Sequence, residues 1–153
     1  MQVDLTGRTA LVTGSDRNTG KVIATALATA GATLAVHSNA DADSARATAA
    51  ELPDAVAICG DIATDTGCEA LCAEIDEAGL TIDILVNNYG TAAPGKWDSA
   101  GTDDWLDMYQ KNVLSAARLC RDLAPGMKTR GWGRIVNLGT IGSHRPGKVM
   151  PHY

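Results

Sequence analysis

The 153-residue chain has no stretch approaching the roughly 18 consecutive apolar residues that a membrane-spanning helix needs. Its opening, MQVDLTGRTALVTG, has no charged segment followed by an apolar one of the kind that directs secretion. A soluble, cytoplasmic protein with no membrane partner is therefore expected. Basic residues are few and scattered, 13 Lys and Arg against 18 Asp and Glu for a net charge of −5, so nothing supplies the basic stripe that nucleic acid demands. The four cysteines, at 59, 68, 72 and 120, include no CxxC pair, and no histidine is near Cys68 and Cys72 in sequence; buried, reduced thiols are expected. His37 and His144 have no partners at metal-ligand spacing, so no metal site is expected. Internal repeats, low-complexity tracts and interdomain linkers are also missing. Length and 45% apolar content suit one domain, residues 1–153, with a single core.

What is present is a rhythm of short β-rich runs and helical stretches. TALVT (9–13), TLAVH (33–37), AVAIC (55–59), IDILVN (82–87) and RIVNL (134–138) read as strands. After Gly20, the residues Val22, Ile23, Ala26, Leu27 and Ala30 recur at three- and four-residue steps, predicting a helix with one apolar face that Gly31 stops. A second helix is predicted from the region of Asp41 to Leu52, and a third from about Asp65 to Gly79. The longest begins at Thr102, whose hydroxyl can cap free amides, and is expected to reach the region of Pro125 and Gly126; residues 91–101 read as a surface loop. Nearly continuous apolar strands joined by helices imply a parallel sheet covered on both faces, an α/β, doubly wound fold.

Between the first strand and the first helix lies TGSDRNTGKV, residues 13 to 22, a glycine-bracketed turn suited to phosphate. A triphosphate-binding P-loop needs four residues between its glycines and a hydroxyl after the lysine to hold Mg²⁺. Here five residues intervene and Val22 carries no hydroxyl, so that reading fails. A dinucleotide turn needs a tight bend, close backbone approach to a pyrophosphate and a helix N-terminus aimed at it. Gly14 can make the bend and Gly20 can let helix and strand touch.

The spacing resembles the TGxxxGxG motif of the classical short-chain dehydrogenase/reductases, with Asn18 in place of the middle glycine, a substitution that Asn tolerates because it visits positive φ. Four further segments fall in family order: GDI (60–62), NNYG (87–90, with Tyr89 where the family has alanine), KNV (111–113) and GRIVNLGT (133–140). Tyr153 lies 13 positions beyond Thr140, the family's serine-to-tyrosine spacing. The resemblance implies a Rossmann-type sheet of about five strands in the order 3-2-1-4-5. It also implies hydride transfer between a nicotinamide cofactor and a carbonyl or secondary alcohol, with 3-oxoacyl reductases as one neighbourhood.

By this resemblance Tyr153 is the acid or base, Thr140 donates to the substrate carbonyl, with Ser143 as a rival hydroxyl, and Asn112 holds a water through its backbone carbonyl. Gly14, Ser15, Asp16, Arg17, Asn18, Thr19 and Gly20 are expected to cradle the diphosphate. Asp61 and Ile62 are placed at the adenine, and Asn88 and Gly90 near the adenosine ribose, whereas Asn87 is expected to tie the sheet together. Met150, Pro151, His152, Trp97 and the 141–144 segment are expected to pack loops. The end of strand two reads His37-Ser38-Asn39, without the acidic residue that grips the ribose diol of NAD. With Arg17 and Ser38 available for a 2′-phosphate, NADP is the expected cofactor and NAD the alternative.

A phenol with a pKa near ~10 needs a neighbouring cation to work at neutral pH. The resemblance puts a lysine four residues past Tyr153, where this sequence does not extend. The expectation is thus a Rossmann domain missing its C-terminal part, itself inactive, from a parent that forms a homodimer or homotetramer. The alternatives are a noncatalytic nucleotide-binding or interaction module and, less favoured by the motifs, an epimerase or dehydratase of the extended branch.

Overall fold

The computed structural model describes residues 3–145 and 147–153. In chain order the elements are β1 (Thr9–Val12), α1 (Asn18–Thr29), β2 (Thr33–Ser38), α2 (Ala42–Ala50), β3 (Ala55–Cys59), α3 (Asp65–Glu77), β4 (Ile84–Asn87), α4 (Thr102–Tyr109), a π-helical turn (Gln110–Leu114), α5 (Ser115–Thr129), β5 (Arg134–Asn137) and a 3₁₀ turn (Ile141–Ser143). The five strands form one parallel sheet in the order β3-β2-β1-β4-β5. This is the doubly wound, Rossmann-type arrangement expected from the sequence.

Alternation along each strand explains why the strands look continuously apolar. Ala10 and Val12 of β1 face one core with Leu34, Val36, Ile84 and Val86, beneath α1 and α2. Leu11, Ala35, Ile58 and Leu85 face the other, which α3 and α5 close with Cys68, Leu71, Ile75, Leu119 and Met127. Over β1, β2 and β4 both faces are covered, so both residues of an alternating pair are mostly apolar, and the buried polar residues His37, Ser38 and Asn87 stand at the carboxyl ends of β2 and β4. No phenylalanine occurs in the sequence, and small aliphatic side chains fill the space.

On α1 the buried stripe is Gly20, Ala24 and Ala28, flanked by the partly buried Ile23 and Leu27, while Val22 is exposed. Hydrophobicity alone points to Val22 and Ala26. Helix-to-strand contact at close range favours the smallest residues instead. The longest helical stretch also differs from expectation at both ends. Gly101, not Thr102, is the N-cap residue of α4, and the Asp104 carboxylate accepts from the Gly101 N–H at 2.9 Å. At the far end α5 runs through Pro125 to Thr129. The backbone bond that proline deletes falls on a face where Arg121 and Pro125 are both exposed, so water can serve the freed carbonyl while Met127 continues into the core.

All four cysteines are free; Cys68 is buried and the other three are half-buried, and burial pushes the Cys68 thiol pKa up to about 11. β5 differs from the other strands in being exposed along its whole length, with Ile135 and Val136 open to solvent. Among the described residues no helix is long and apolar enough to cross a membrane.

Candidate functional site

The carboxyl ends of β1, β2 and β4 lie side by side, since Val12 pairs with both Val36 and Val86. The chain order reverses between β1 and β4, and at such a switch point the loops diverge and leave a crevice. A cavity of about 580 Å³ opens there. Gly14, Asp16, Arg17, Asn18, Thr19 and Gly20 line it from the turn after β1, Ser38 from the end of β2, and Asn88 and Gly90 from the end of β4.

The conformation of the turn accounts for its sequence. Gly14 has φ +61° and Asn18 has φ +48°, Asn18 being the one non-glycine residue with positive φ among those described. At Gly20 a β-carbon would lie 2.0 Å from the Gly14 carbonyl oxygen and 2.6 Å from Asn88 Nδ2, so only glycine lets α1 start this close to the turn. α1 has no side-chain cap: Arg17 occupies the N-cap position and bonds none of the first-turn amides with its side chain. By contrast Asp41 caps α2 and Thr64 caps α3. Free amides and the positive end of a helix, set at a cavity, form an anion site. The diphosphate of a dinucleotide fits these residues.

Thr13 joins the two sides of the crevice. Its buried hydroxyl accepts from the Asn88 N–H at 3.0 Å and the Tyr89 N–H at 2.8 Å, while Asn88 Nδ2 donates to the carbonyls of Thr13 and Gly14 at 2.8 and 3.1 Å. Ser15 does not line the cavity. It is fully buried, its hydroxyl donates to the Val12 carbonyl and accepts from the His37 N–H, and its own N–H donates to the His37 carbonyl. Asn87 links strands through Nδ2, which donates to Asn137 Oδ1 at 2.8 Å across β4 and β5.

Asp61 lies on a second cavity of about 560 Å³, with Thr64, Asp65 and Arg118; Lys111 lines both cavities. One Asp61 oxygen accepts from Asn39 Nδ2 at 2.9 Å, and Asn39 Oδ1 accepts from the Ile62 N–H at 3.0 Å, which ties the ends of β2 and β3 together. The Ile62 side chain is buried in the core beneath α3 rather than turned to the cavity. Sequence reading also passed over Asn39, Asp41, Tyr89, Thr91 and Lys111, all of which line the first cavity. Their nearness to the motifs was the only signal available.

At the end of β2, Ser38 accepts from the Asp41 N–H at 3.1 Å. The Arg17 guanidinium is held between two carboxylates, 2.5 Å from Asp16 and 3.4 Å from Asp41, and both reinforce its charge. Asp16 is buried, and its backbone carbonyl accepts from Thr48 Oγ1 at 2.8 Å.

Asn112 sits in the π-helical turn, where the regular ladder of a helix is broken. Its side chain brackets Thr91, accepting from the Thr91 N–H at 2.8 Å and donating to the Thr91 carbonyl at 2.9 Å. Thr140 caps the 3₁₀ turn, and Ser143 Oγ is committed to the Thr140 carbonyl at 2.7 Å. Thr140 and Tyr153 come together over Gly142: a β-carbon there would lie 3.5 Å from Thr140 Cγ2 and 3.5 Å from Tyr153 Cδ1. Neither side chain lines the first cavity. His152 is buried, with its ring edge toward Trp105 at 6.0 Å, and Trp105 meets Trp97 at 5.6 Å. Among the described residues no cluster of three or more His, Cys, Asp or Glu could hold a metal ion.

The family model for short chain dehydrogenase matches residues 8–153. An uncharacterized oxidoreductase of Bacillus subtilis is 34% identical over all of this chain, which spans 58% of that protein's length. The rhamnolipid-biosynthesis 3-oxoacyl-[acyl-carrier-protein] reductase of Pseudomonas aeruginosa is 33% identical over 90% of the chain and 56% of its own length. Among solved structures, L-sorbose reductase from Gluconobacter frateurii, complexed with NADPH and L-sorbose, superposes with a TM-score of 0.94 at 30% identity, covering the whole chain and 60% of that protein. The chain thus spans rather less than two thirds of these relatives. Sheet order, turn geometry and motif order agree with the likeness, and the chain belongs to the short-chain dehydrogenase/reductase family.

Proposed function

We propose that these residues form the dinucleotide-binding domain of an NADP(H)-dependent oxidoreductase that acts on a carbonyl or secondary alcohol, with 3-oxoacyl thioesters as the first substrates to try. The observation that carries this reading is the uncapped start of α1, packed through Gly20 onto the turn after β1 and facing a cavity at the switch point of the sheet. The relative from Pseudomonas aeruginosa, a 3-oxoacyl reductase, supports the substrate class, and the NADPH complex of L-sorbose reductase supports the cofactor.

When bound, the nicotinamide supplies or accepts the hydride. The chain's own residues do the rest. Amides of residues 16–20, at the uncapped start of α1, hold the diphosphate, and Ser38 and Arg17 meet the 2′-phosphate. The Thr140 hydroxyl donates to the substrate carbonyl, and Tyr153, beside it over Gly142, gives the forming alkoxide its proton. Asn112 fixes the Thr91 backbone at the rim of the cavity.

Exposed Leu106, Tyr109 and Val113 around α4 and the π-helical turn, together with open β5, support assembly into a homodimer or homotetramer. Four free cysteines suit the reducing cytoplasm. The competing reading is a nucleotide-binding module without proton chemistry.

The test is NADPH oxidation by the full-length protein with a panel of 3-oxoacyl thioesters and small ketones. Turnover that Tyr153→Phe abolishes supports the enzyme. Cofactor binding with no turnover on any ketone supports the module.

A further inference from the structure

His37 is a fully buried residue in β2 whose two ring nitrogens are both used. Nδ1 lies 3.0 Å from the Gly14 backbone nitrogen, and Nε2 lies 2.9 Å from the Gly60 carbonyl oxygen. The partners settle the tautomer. An N–H can only donate, so Nδ1 accepts; a carbonyl can only accept, so Nε2 carries the proton. Two backbone bonds add to the grip, from the Ser15 N–H to the His37 carbonyl at 2.8 Å and from the His37 N–H to Ser15 Oγ at 2.9 Å. One side chain therefore spans the ends of β1, β2 and β3 and holds Gly14 in place.

Resting on the reading of this turn as a diphosphate cradle, we propose that His37 is a positioning residue for the cofactor: its neutral, Nε2-protonated ring clamps Gly14 to Gly60, and a second proton on the ring releases the turn. In the imidazolium both nitrogens are donors. The Gly14 N–H would then face another N–H, and the glycine would have to move away.

The surroundings favour the neutral form. Burial lowers the His37 pKa from 6.5, against the Gly60 hydrogen bond and the carboxylates of Asp16, in the turn after β1, and Asp61, just past β3, which all favour the charged ring. A histidine whose folded pKa is lowered contributes stability that is fully present above its unfolded value and is lost as pH falls from there through the folded value. The clamp is thus closed at neutral pH and opens on the acid side.

The experiment compares the wild-type protein with His37→Gln, which keeps one acceptor and one donor without titrating in this range, and His37→Phe, which keeps neither. Imidazole ¹⁵N shifts report the tautomer, amide exchange reports the hold on Gly14, and NADPH affinity is measured from pH 8 to 5. The 2′-phosphate itself titrates near ~6 in every arm, so the readout is the affinity of each variant relative to wild type at the same pH.

An Nε2–H tautomer at neutral pH is expected, with fast Gly14 exchange in His37→Phe and roughly tenfold weaker NADPH binding there, the cost of an unpaired buried donor. His37→Gln should match wild type at pH 8 and bind more tightly than wild type at the acid end. An Nδ1–H tautomer, unchanged Gly14 exchange in His37→Phe, or the same acid decline in His37→Gln as in wild type would overturn the proposal. Should wild type bind no dinucleotide, the functional reading falls, while the clamp is still decided by the tautomer and Gly14 exchange.

Discussion

Asn18 carries a conformation that glycine normally takes, and its side chain is the reason the turn can be tested one residue at a time. Asn18→Gly should leave stability within a few tenths of a kcal/mol. Asn18→Val should cost about 1–2 kcal/mol, the penalty for a β-branched residue in the left-handed region that Asn tolerates. Denaturant unfolding midpoints at unchanged slope would report both. At the ribose end, Arg17 is exposed and shared between Asp16 and Asp41. Arg17→Ala should weaken NADPH by roughly tenfold and NADH hardly at all, as expected for loss of a charge-assisted bond at an exposed site. Asp41→Asn should shift the preference further toward NADPH by removing one of the two competing carboxylates. Isothermal titration with both cofactors checks the pair, and tighter binding of NADH by the wild-type protein would overturn the choice of NADP.

The elements were legible where one local force dominates. Short β-rich, nearly continuous apolar runs gave the strands to within two residues, and glycine at 31 with φ +95° ended α1 as read. Less legible were features set by contacts distant in sequence. The buried stripe of α1 follows from how closely Gly20 approaches Gly14, which hydrophobicity does not encode. The π-helical turn around Asn112 has no composition signal, and its role emerges only when Thr91, 21 residues earlier, is found between the two ends of the Asn112 amide. The same limit applies to Ser15, read as a phosphate contact but spent on His37 and Val12, and to His37 itself, which the sequence offered only as a histidine without metal partners. Asn112→Ala should remove both bonds to Thr91 and cost about 1–3 kcal/mol. Hydrogen exchange over residues 90–101 should speed up, whereas β1 and β2 should keep their protection; uniform loss of protection would show that Asn112 holds more than this loop.

On the scale of the whole molecule, four strands are packed on both faces and β5 is not. Ile135, Val136 and Leu138 are exposed, along an edge whose backbone is free to pair. In the proposed cofactor turn, His37 of β2 holds Gly14 and Ser15, Thr48 of α2 holds Asp16, and Gly20 packs against Gly14 and Asn88. The proposed reacting pair, Thr140 and Tyr153 over Gly142, follows β5, the uncovered edge, in the chain. The most direct measurement is an amide NMR titration of the protein with NADPH, repeated on Gly20→Val. Saturable shifts centred on residues 13–20, 38 and 88–90, abolished by Gly20→Val in a variant that still folds, are the expected result. Shifts centred elsewhere, or unchanged affinity in a folded Gly20→Val variant, would contradict the placement of the cofactor.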